Sequence, residues 1–272
     1  MKLQNLRFHN GGYCIQNLYF SGVKSFRYRR FYAVFLQFDH PVHGACLIDT
    51  GYGPAIREAT RRWPFRVMRW LTPIPRNQGF FRPDYPADLG IDAEQPFTIF
   101  LSHFHADHIG ATQLFPNSTF VYRDASLRQL RSMSPRQELD EATVISLLPD
   151  DFEQRGRTID ESSFTNNHSL CEEFPSFDYW GDGSLIMIDL PGHAIGHTGY
   201  LLSTDRGTLL YAVDAFWDRS VFEADRQLPW LSKRILHDAA ENQVTLERLR
   251  TLVARTGVEP LACHCPQTQS YV

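Results

Sequence analysis

Short apolar runs separated by polar turns dominate the chain, and their spacing predicts strands near its start and again in its second half. FYAVFLQF and GACLIDT flank a stretch with a proline and a glycine, which is typical of a hairpin. Further strands are predicted at FTIFLSH, STFVYRD, SLIMIDL, TGYLLST, GTLLYAVDA and VEPLACH. The opening of the chain is therefore expected to be rich in β-structure.

Helical spacing appears between these runs. Residues 54–72 mix basic and apolar positions around Pro64, and IGATQLF predicts a short helix. Residues 125–156 form a polar helical stretch with expected breaks at Pro135 and Pro149, and AAENQVTLERLRTLVARTG predicts a long helix. Strands alternating with helices predict a layered α/β protein, here a single domain over residues 1–272.

The composition of the chain excludes some classes of binding partner. The net charge is −4, and along the sequence the basic residues are dispersed rather than gathered in one run, so we expect no nucleic-acid partner. No segment has the apolar length of a signal peptide core or a membrane span, so we expect a cytoplasmic protein with no membrane partner. Five scattered cysteines in a chain of this size predict reduced thiols.

One segment, FLSHFHADHIG, concentrates metal-ligand side chains directly behind a predicted strand. His103 and His105 occupy alternate positions of an extended stretch, so both side chains can reach one cation. Asp107 and His108 follow at the start of a helix and can reach a second. Imidazole and carboxylate are the ligands of zinc and neighbouring metals, so the segment predicts a metal site.

Three later segments also place a ligand-type residue where a predicted strand ends, namely His193, Asp214 and His264. A single histidine after a strand is more often a packing residue, but the cluster at 103–108 changes that balance. Seven such side chains can hold two cations with positions left open, and the Asp214 carboxylate can bridge them. An open dinuclear site predicts hydrolysis.

These segments resemble the metallo-β-lactamase-fold hydrolases, from about residue 32 to His264. The resemblance implies an α/β fold, a four-layer αββα sandwich with metals along one edge. It implies that His103, His105 and His193 hold the first ion and that Asp107, His108 and His264 hold the second, with Asp214 between them. LIDTG, LSHFHADHIG and PGHAIGHTGY look most like the N-acyl homoserine lactonases and their ester- or thioester-cleaving relatives.

Supporting roles are expected for two further residues. Asp49 matches the family's early strand-end aspartate and could orient a ligating imidazole, although a turn cap over TGYG is an equal alternative. His197 is interpreted as a hydrogen-bonded core histidine beside the site rather than a ligand. Cys263 and Cys265 flank His264, but adjacent side chains on a strand point in opposite directions, so we expect both to be packing residues.

The expected chemistry is attack by a hydroxide that bridges two divalent ions, zinc with iron or manganese as alternatives. Asp107, preferred over Asp214, would transfer the proton. The expected substrate is a small lactone, ester or thioester with an acyl or apolar part. An aromatic-rich insertion at about 61–90 could form a lid over it or pack on the outer helices. In the N-acyl homoserine lactonases that this chain resembles, the bridging aspartate begins the pattern D-A-x-Y. Here Trp217 occupies the position of that tyrosine.

Alternatives remain at this stage. Glyoxalase-II-like thioester hydrolysis would want a basic tail, which PQTQSYV lacks, and a phosphodiesterase shares the metal motif. A sulfur dioxygenase with a single iron belongs to another class, and so does a non-catalytic metal-binding regulator, which the full set of seven ligands disfavours. The oligomeric state, a homodimer included, is open.

Overall fold

The computed structural model describes residues 1–165 and 168–272, and these residues form eleven strands in two sheets. The strands are β1 (Gln4–Asn17), β2 (Tyr28–His40), β3 (Gly44–Ile48), β4 (Thr98–Phe100), β5 (Thr119–Arg123), β6 (Gly156–Ile159), β7 (Ser176–Asp178), β8 (Leu185–Asp189), β9 (Thr198–Thr204), β10 (Gly207–Tyr211) and β11 (Pro260–Leu261). The predicted hairpin is confirmed, because β2 pairs antiparallel with β3.

The first sheet has the order β1-β2-β3-β4-β5-β6, and its last four strands run parallel. The second has the order β11-β10-β9-β8-β7 and is antiparallel except for the β10–β11 pair. Parallel strands end at one edge of a sheet, so the loops that leave β3, β4 and β5 lie side by side. Ligand sites of layered α/β proteins form at such edges.

The α-helices are mostly single turns between strands. They are α1 (Ile56–Ala59), α2 (Met68–Leu71), α3 (Tyr85–Asp88), α4 (Ala106–Ile109), α5 (Asp124–Arg131), α6 (Pro135–Asp140), α7 (Arg219–Glu223), α8 (Trp230–Lys233), α9 (Ala239–Thr256) and α10 (Pro266–Gln269). The long predicted helix is α9, which begins after the capping side chain of Asp238 and ends at Gly257 in the left-handed conformation. Among the described residues, no helix is both long and apolar enough to span a bilayer.

Alternation along β2 shows how the layers form. Val34, Leu36 and Phe38 face the second sheet, whereas Ala33 and Phe35 face the helices outside the first sheet. A third apolar cluster lies on the far side of the second sheet, where α9 packs against β8, β9 and β10. Each sheet is therefore covered on both faces, which is the predicted αββα sandwich.

Some predicted details differ. Pro135 begins α6 instead of breaking a helix, because proline is tolerated in the first turn and Ser134 forms a capping box with Gln137. The strands β1, β6 and β7 were not singled out from the sequence. The last strand is shorter than predicted, with only Pro260 and Leu261 in the ladder.

The aromatic insertion divides into two parts. Phe80 and Tyr85 are buried in the outer core, and Gln78 exchanges two hydrogen bonds of 2.7 Å with the backbone of Tyr13 in β1. Trp63 and Trp70, by contrast, are 77% and 70% exposed. The second half of the insertion is thus fixed against β1, and the first half presents its indoles to solvent.

Candidate metal centre

All seven predicted ligands lie together at one edge of the sandwich. His103 and His105 leave the end of β4, and Asp107 and His108 lie in α4. His193, Asp214 and His264 follow β8, β10 and β11. Strand ends from both sheets therefore bring residues separated by up to 161 positions in the sequence into one cluster.

One group of side chains contains His103, His105, His193 and Asp214. Their potential ligand atoms all lie within 4.8 Å of one another. His193 Nε2 is 3.1 Å from His105 Nδ1 and 3.4 Å from Asp214 Oδ2. The extended backbone at His105, with φ −64° and ψ 152°, allows both early imidazoles to reach the same point.

A second group lies on the other side of Asp214. Asp214 Oδ2 is 3.3 Å from His108 Nε2 and 3.2 Å from His264 Nε2. Asp107 Oδ2 is 3.3 Å from His264 Nε2. One carboxylate oxygen thus contacts imidazoles of both groups, which is the arrangement expected for a bridging carboxylate.

The polar atoms of this centre fit a pair of cations. His103 Nε2, His108 Nε2 and Asp214 Oδ1 are buried and have no hydrogen-bond partner in the described part of the chain. Leaving such atoms unsatisfied costs free energy, so a native site of this kind needs an added partner. Imidazole nitrogens around a carboxylate are the donor set of zinc and neighbouring divalent metals.

Burial and neighbouring charges shift the protonation of the ligands. Burial, with nearby imidazoles adding to it, lowers the pKa of His103 and His105 well below the ordinary value. Burial also opposes charge on His264, but the Asp214 carboxylate outweighs it and raises the pKa. Burial would raise the pKa of Asp214, and the His264 and His108 imidazoles instead hold it low. A proton on His264 thus offsets the negative charge of the Asp214 carboxylate, and bound cations would take the place of that proton.

Asp49 connects the two groups through hydrogen bonds. Its Oδ2 accepts from His108 Nδ1 at 2.8 Å and from Ser102 Oγ at 2.7 Å, while Oδ1 accepts from the Ser102 backbone N–H at 2.8 Å. Because the Ser102 hydroxyl donates to Asp49, it accepts from His103 Nδ1 at 2.9 Å. Both histidines are therefore held with Nε2 free to bind a cation. The hydrogen bonds of the Asp49 carboxylate thus run to Ser102 and His108 and not to the turn that follows it.

Ser102 was not anticipated from the sequence, although it lies between the strand and His103. His197 and the Tyr32 carbonyl have comparable supporting positions. His197 Nδ1 donates to the Leu190 carbonyl at 2.9 Å, and its Nε2 accepts from the Asp214 backbone N–H at 3.1 Å. Burial lowers the pKa of His197 to about 3, so it stays neutral and holds the loop that carries Asp214. His264 Nδ1 donates to the Tyr32 carbonyl at 2.7 Å.

Cys263 packs in the core between the two sheets, as expected, but the predicted direction of its side chain is wrong. Its Sγ lies within 4.8 Å of ligand atoms of His108, Asp214 and His264, so its side chain points towards the centre and not away from it. The alternation of side chains along a strand does not apply to Cys263, because β11 ends at Leu261, before the cysteine. Cys265 is a packing residue of the outer cluster, as expected. All five cysteines are free and buried.

An apolar wall adjoins the two groups. Phe31 lies 5.9 Å from the His264 ring and Trp217 lies 6.0 Å from the His193 ring, measured between centroids. Both belong to a small buried cluster with Cys14 and Leu236, and Ile74 and Leu228 pack against it. Trp217, at the position where lactonases place tyrosine, is thus part of this wall.

Comparison with known proteins agrees with this geometry. Residues 33–256 match the model of the Metallo-beta-lactamase superfamily. N-acyl homoserine lactonase AttM of Azorhizobium caulinodans is 29% identical over 182 residues, which cover 65% of this chain and 61% of that protein. Gamma-lactamase FDB1 of Fusarium pseudograminearum is 30% identical over 118 residues, 43% of this chain and 27% of that protein. The chain thus spans less than two thirds of the length of these curated relatives.

Solved structures share the architecture. A structure of N-acyl homoserine lactone hydrolase, with the product N-hexanoyl-L-homoserine at its catalytic metal centre, superposes with a TM-score of 0.74 at 15% identity. That match covers 100% of this chain and 97% of the other. The dizinc lactonase AidC gives a TM-score of 0.66 at 17% identity, over 98% and 90% of the two chains. With the match over 33–256 and the same sandwich fold, the chain belongs to the metallo-β-lactamase superfamily.

Proposed function

We propose that this protein is a hydrolase that uses two divalent cations, zinc in the first instance, to cleave a lactone, ester or thioester. The main support is the position of Asp214 Oδ2, which lies 3.2 to 3.4 Å from imidazole nitrogens of both ligand groups. A single-ion protein has no need of a second buried group of ligands around the same carboxylate.

In this proposal the ligands divide as the two groups do. His103, His105 and His193 would hold one ion, Asp107, His108 and His264 would hold the other, and Asp214 lies between the two groups. When bound, such ions lower the pKa of water and polarise the oxygen of the scissile carbonyl. Cys263 adjoins the second group, and its soft sulfur would favour zinc over manganese there.

The remaining steps belong to the side chains of the chain itself. Asp107 has 16% of its side chain exposed, whereas Asp214 has 2%, so Asp107 is the carboxylate that a substrate and a water can reach. We assign to Asp107 the proton taken from the attacking water and returned to the leaving oxygen or sulfur. Asp49, Ser102 and His197 keep the ligands oriented throughout.

The apolar wall supports an acyl substrate. The ring centroids of Phe31 and Trp217 lie 5.9 and 6.0 Å from those of the ligand imidazoles, so an apolar group can pack there while its carbonyl faces the metals. The lactonase relatives act on acylated lactones by their names, which makes N-acyl homoserine lactones the first substrates to test. Trp217 has no phenol, so any lactone chemistry must proceed without the hydroxyl that tyrosine would offer.

The test is a panel of acyl lactones, thioesters, aryl esters and phosphodiesters, assayed with protein loaded with zinc and with metal content measured on the same sample. We expect two ions per chain and cleavage of a lactone or ester, and His105→Ala should abolish it. The exposed His43→Ala is the matched control and should retain the activity. One iron per chain with oxygen uptake on a persulfide would replace the proposal with sulfur dioxygenation.

A further inference from the structure

Basic residues are concentrated on three segments that the fold brings together. Residues 18–30, 61–76 and 226–235, here called the rim surface, contain twelve of the 27 Lys and Arg and none of the 31 Asp and Glu. The rest of the chain is strongly acidic. Among the described residues, ion pairs engage only two of the twelve, Arg29 with Asp218 and Arg61 with Glu58. Along the sequence these charges looked dispersed, and only the fold gathers them.

Contacts of the backbone and side chains connect the three segments. At the end of β1, Ile15 N–H donates to the Pro73 carbonyl at 2.8 Å, and the Gln16 side chain donates to the Leu71 carbonyl at 2.7 Å. Asn17 next to them donates to the Phe26 carbonyl at 2.9 Å. A Cβ on Gly22 would lie 3.4 Å from the Leu228 side chain, so the first and third segments also touch.

The same segments carry exposed apolar side chains. In the described part of the chain fifteen large hydrophobic residues are exposed, and nine of them lie on the rim surface. They are Tyr19, Phe26, Tyr28, Trp63, Trp70, Leu71, Trp230, Leu231 and Ile235. Exposing Phe26, Trp63, Trp70 and Trp230 to water by 70% or more is unfavourable unless another apolar phase covers them.

Two segments of the rim surface adjoin the apolar wall beside the metal centre. Ile74 and Leu228, one from each of two rim segments, pack against the wall formed by Phe31, Trp217 and their neighbours. Phe31 in turn is 5.9 Å from the His264 ring. A ligand that partitions into the rim surface would therefore meet the apolar wall on its way to the metals.

We propose that the rim surface docks this protein on an anionic lipid bilayer, with the metal centre facing the membrane. Indole and phenol side chains favour the boundary between headgroups and acyl chains, and arginine and lysine are attracted to anionic headgroups. Leu71, Leu231 and Ile235 cannot stack on bases, which favours lipid over single-stranded nucleic acid. A second copy of this chain would bring two unpaired basic surfaces face to face. The sequence predicted no membrane partner because no segment is long and apolar enough to span a bilayer, whereas this proposal concerns attachment to the bilayer surface.

The test measures partition of the metal-loaded full chain into phosphatidylglycerol/phosphatidylcholine vesicles and into phosphatidylcholine vesicles by co-sedimentation. We compare Arg27→Glu/Arg234→Glu on the rim surface with Lys2→Glu/Arg206→Glu at the opposite end of the sandwich. All four residues are exposed, and both doubles change the net charge equally. We expect the rim double to lower partition into the anionic vesicles at least about tenfold and the control double by less than about twofold.

Further readouts keep the test independent of folding and of the hydrolase proposal. In the wild-type protein, brominated lipid should quench tryptophan fluorescence, and the triple variant Trp63→Phe/Trp70→Phe/Trp230→Phe should remove most of that quenching. Circular dichroism and cleavage of a water-soluble ester should match the wild type in every variant.

Three results would overturn the proposal: no binding of the wild type to anionic vesicles, equal losses in the two charge doubles, or binding of an RNA oligonucleotide without binding of vesicles. A dimer that the rim double converts to a monomer, with vesicle partition unchanged, would also overturn it and identify a second copy as the occupant.

Discussion

At the scale of single residues, the position of the Asp214 carboxylate depends on the backbone of residues that are not predicted metal ligands. Asp49 adopts φ 64° and Val213, directly before Asp214, adopts φ 52°. A β-branched residue is rarely found in the left-handed region, so the packing around Val213 must hold it there. Cys263 N–H contributes by donating to the Val213 carbonyl at 2.7 Å. The carboxylate that joins the two groups is thus aimed by a backbone that is itself constrained.

Asp49→Ala should loosen both ions, because His108 loses its acceptor and the Ser102 link to His103 loses its anchor. The expected fall in metal affinity is about 10- to 100-fold. Competition with a chromophoric chelator measures it. The exposed Asp92→Ala is the control and should bind as the wild type does. Ser102→Ala should weaken binding less, since His108 keeps its bond to Asp49. Unchanged affinity in Asp49→Ala would contradict the assigned role.

Trp217→Ala should alter the preference for the acyl part of the substrate, because it removes one side of the wall beside His193. We expect kcat/KM for a long-chain acyl substrate to fall at least about tenfold relative to a short-chain one. Trp217→Phe should keep most of the preference, and Trp180→Ala, away from the centre, should not alter it. Equal losses for both chain lengths would point to disturbed metals rather than a lost wall.

At the scale of elements, the ends of the sandwich behave differently. At the metal edge, buried polar atoms have no hydrogen-bond partner among the described residues. At the opposite end, the polar groups of the β7–β8 turn bond within the turn and to β2. Asp182 in that turn accepts from Ser184 N–H at 2.9 Å and is 3.0 Å from His40 Nε2 in β2. It therefore connects the two sheets where no cation is expected.

Asp182→Asn should destabilise the protein in a way that depends on pH. Partial burial would raise the pKa of Asp182, but bonds from Ser184 and His40 and the N-terminal ammonium lower it to about 2. A lowered pKa gives stability that is present above the unfolded value of about 4 and is lost as pH falls towards 2.

With 20% of the side chain exposed, the loss at neutral pH should be about 1 to 2 kcal/mol. Urea unfolding at pH 7 and pH 3 measures this loss, which should shrink at the lower pH. The exposed Asp205→Asn in the β9–β10 turn should show neither effect. A loss of equal size at both pH values would mean that the charge of Asp182 is not its cause.

At the scale of the whole molecule, we expect the metal centre to contribute to stability as well as to chemistry. Its ligands come from both sheets, and buried imidazoles and carboxylates without cations are costly. Ions that bind only the folded chain stabilise it by mass action.

Removal of the metals should therefore lower the free energy of unfolding by about 3 to 4 kcal/mol for each bound ion, relative to protein with free metal at 100 to 1,000 times the dissociation constant. Thermal unfolding with and without a chelator measures the difference, and zinc should restore it. His105→Ala should show a smaller response to the chelator, and the exposed His43→Ala the full one. A chelator that leaves the melting temperature unchanged would contradict a bound metal pair.

The sequence by itself determined the fold class and the chemical character of the site. The periods of the apolar runs identified most of the strands and the long helix, because burial of one face imposes that alternation locally. The ligand residues were recognisable because histidines and aspartates collected directly after predicted strands.

Only the tertiary structure decided which of these side chains lie next to the Asp214 carboxylate. It also decided that Ser102 links His103 to Asp49 by hydrogen bonds and that the Cys263 side chain points towards the metal centre. The same holds for the rim surface, whose three segments are more than 30 residues apart along the chain. The physical reason is common to all of these. Local periodicity reports which face of an element is buried, whereas hydrogen bonds and charge clusters depend on which distant segments the sandwich places side by side.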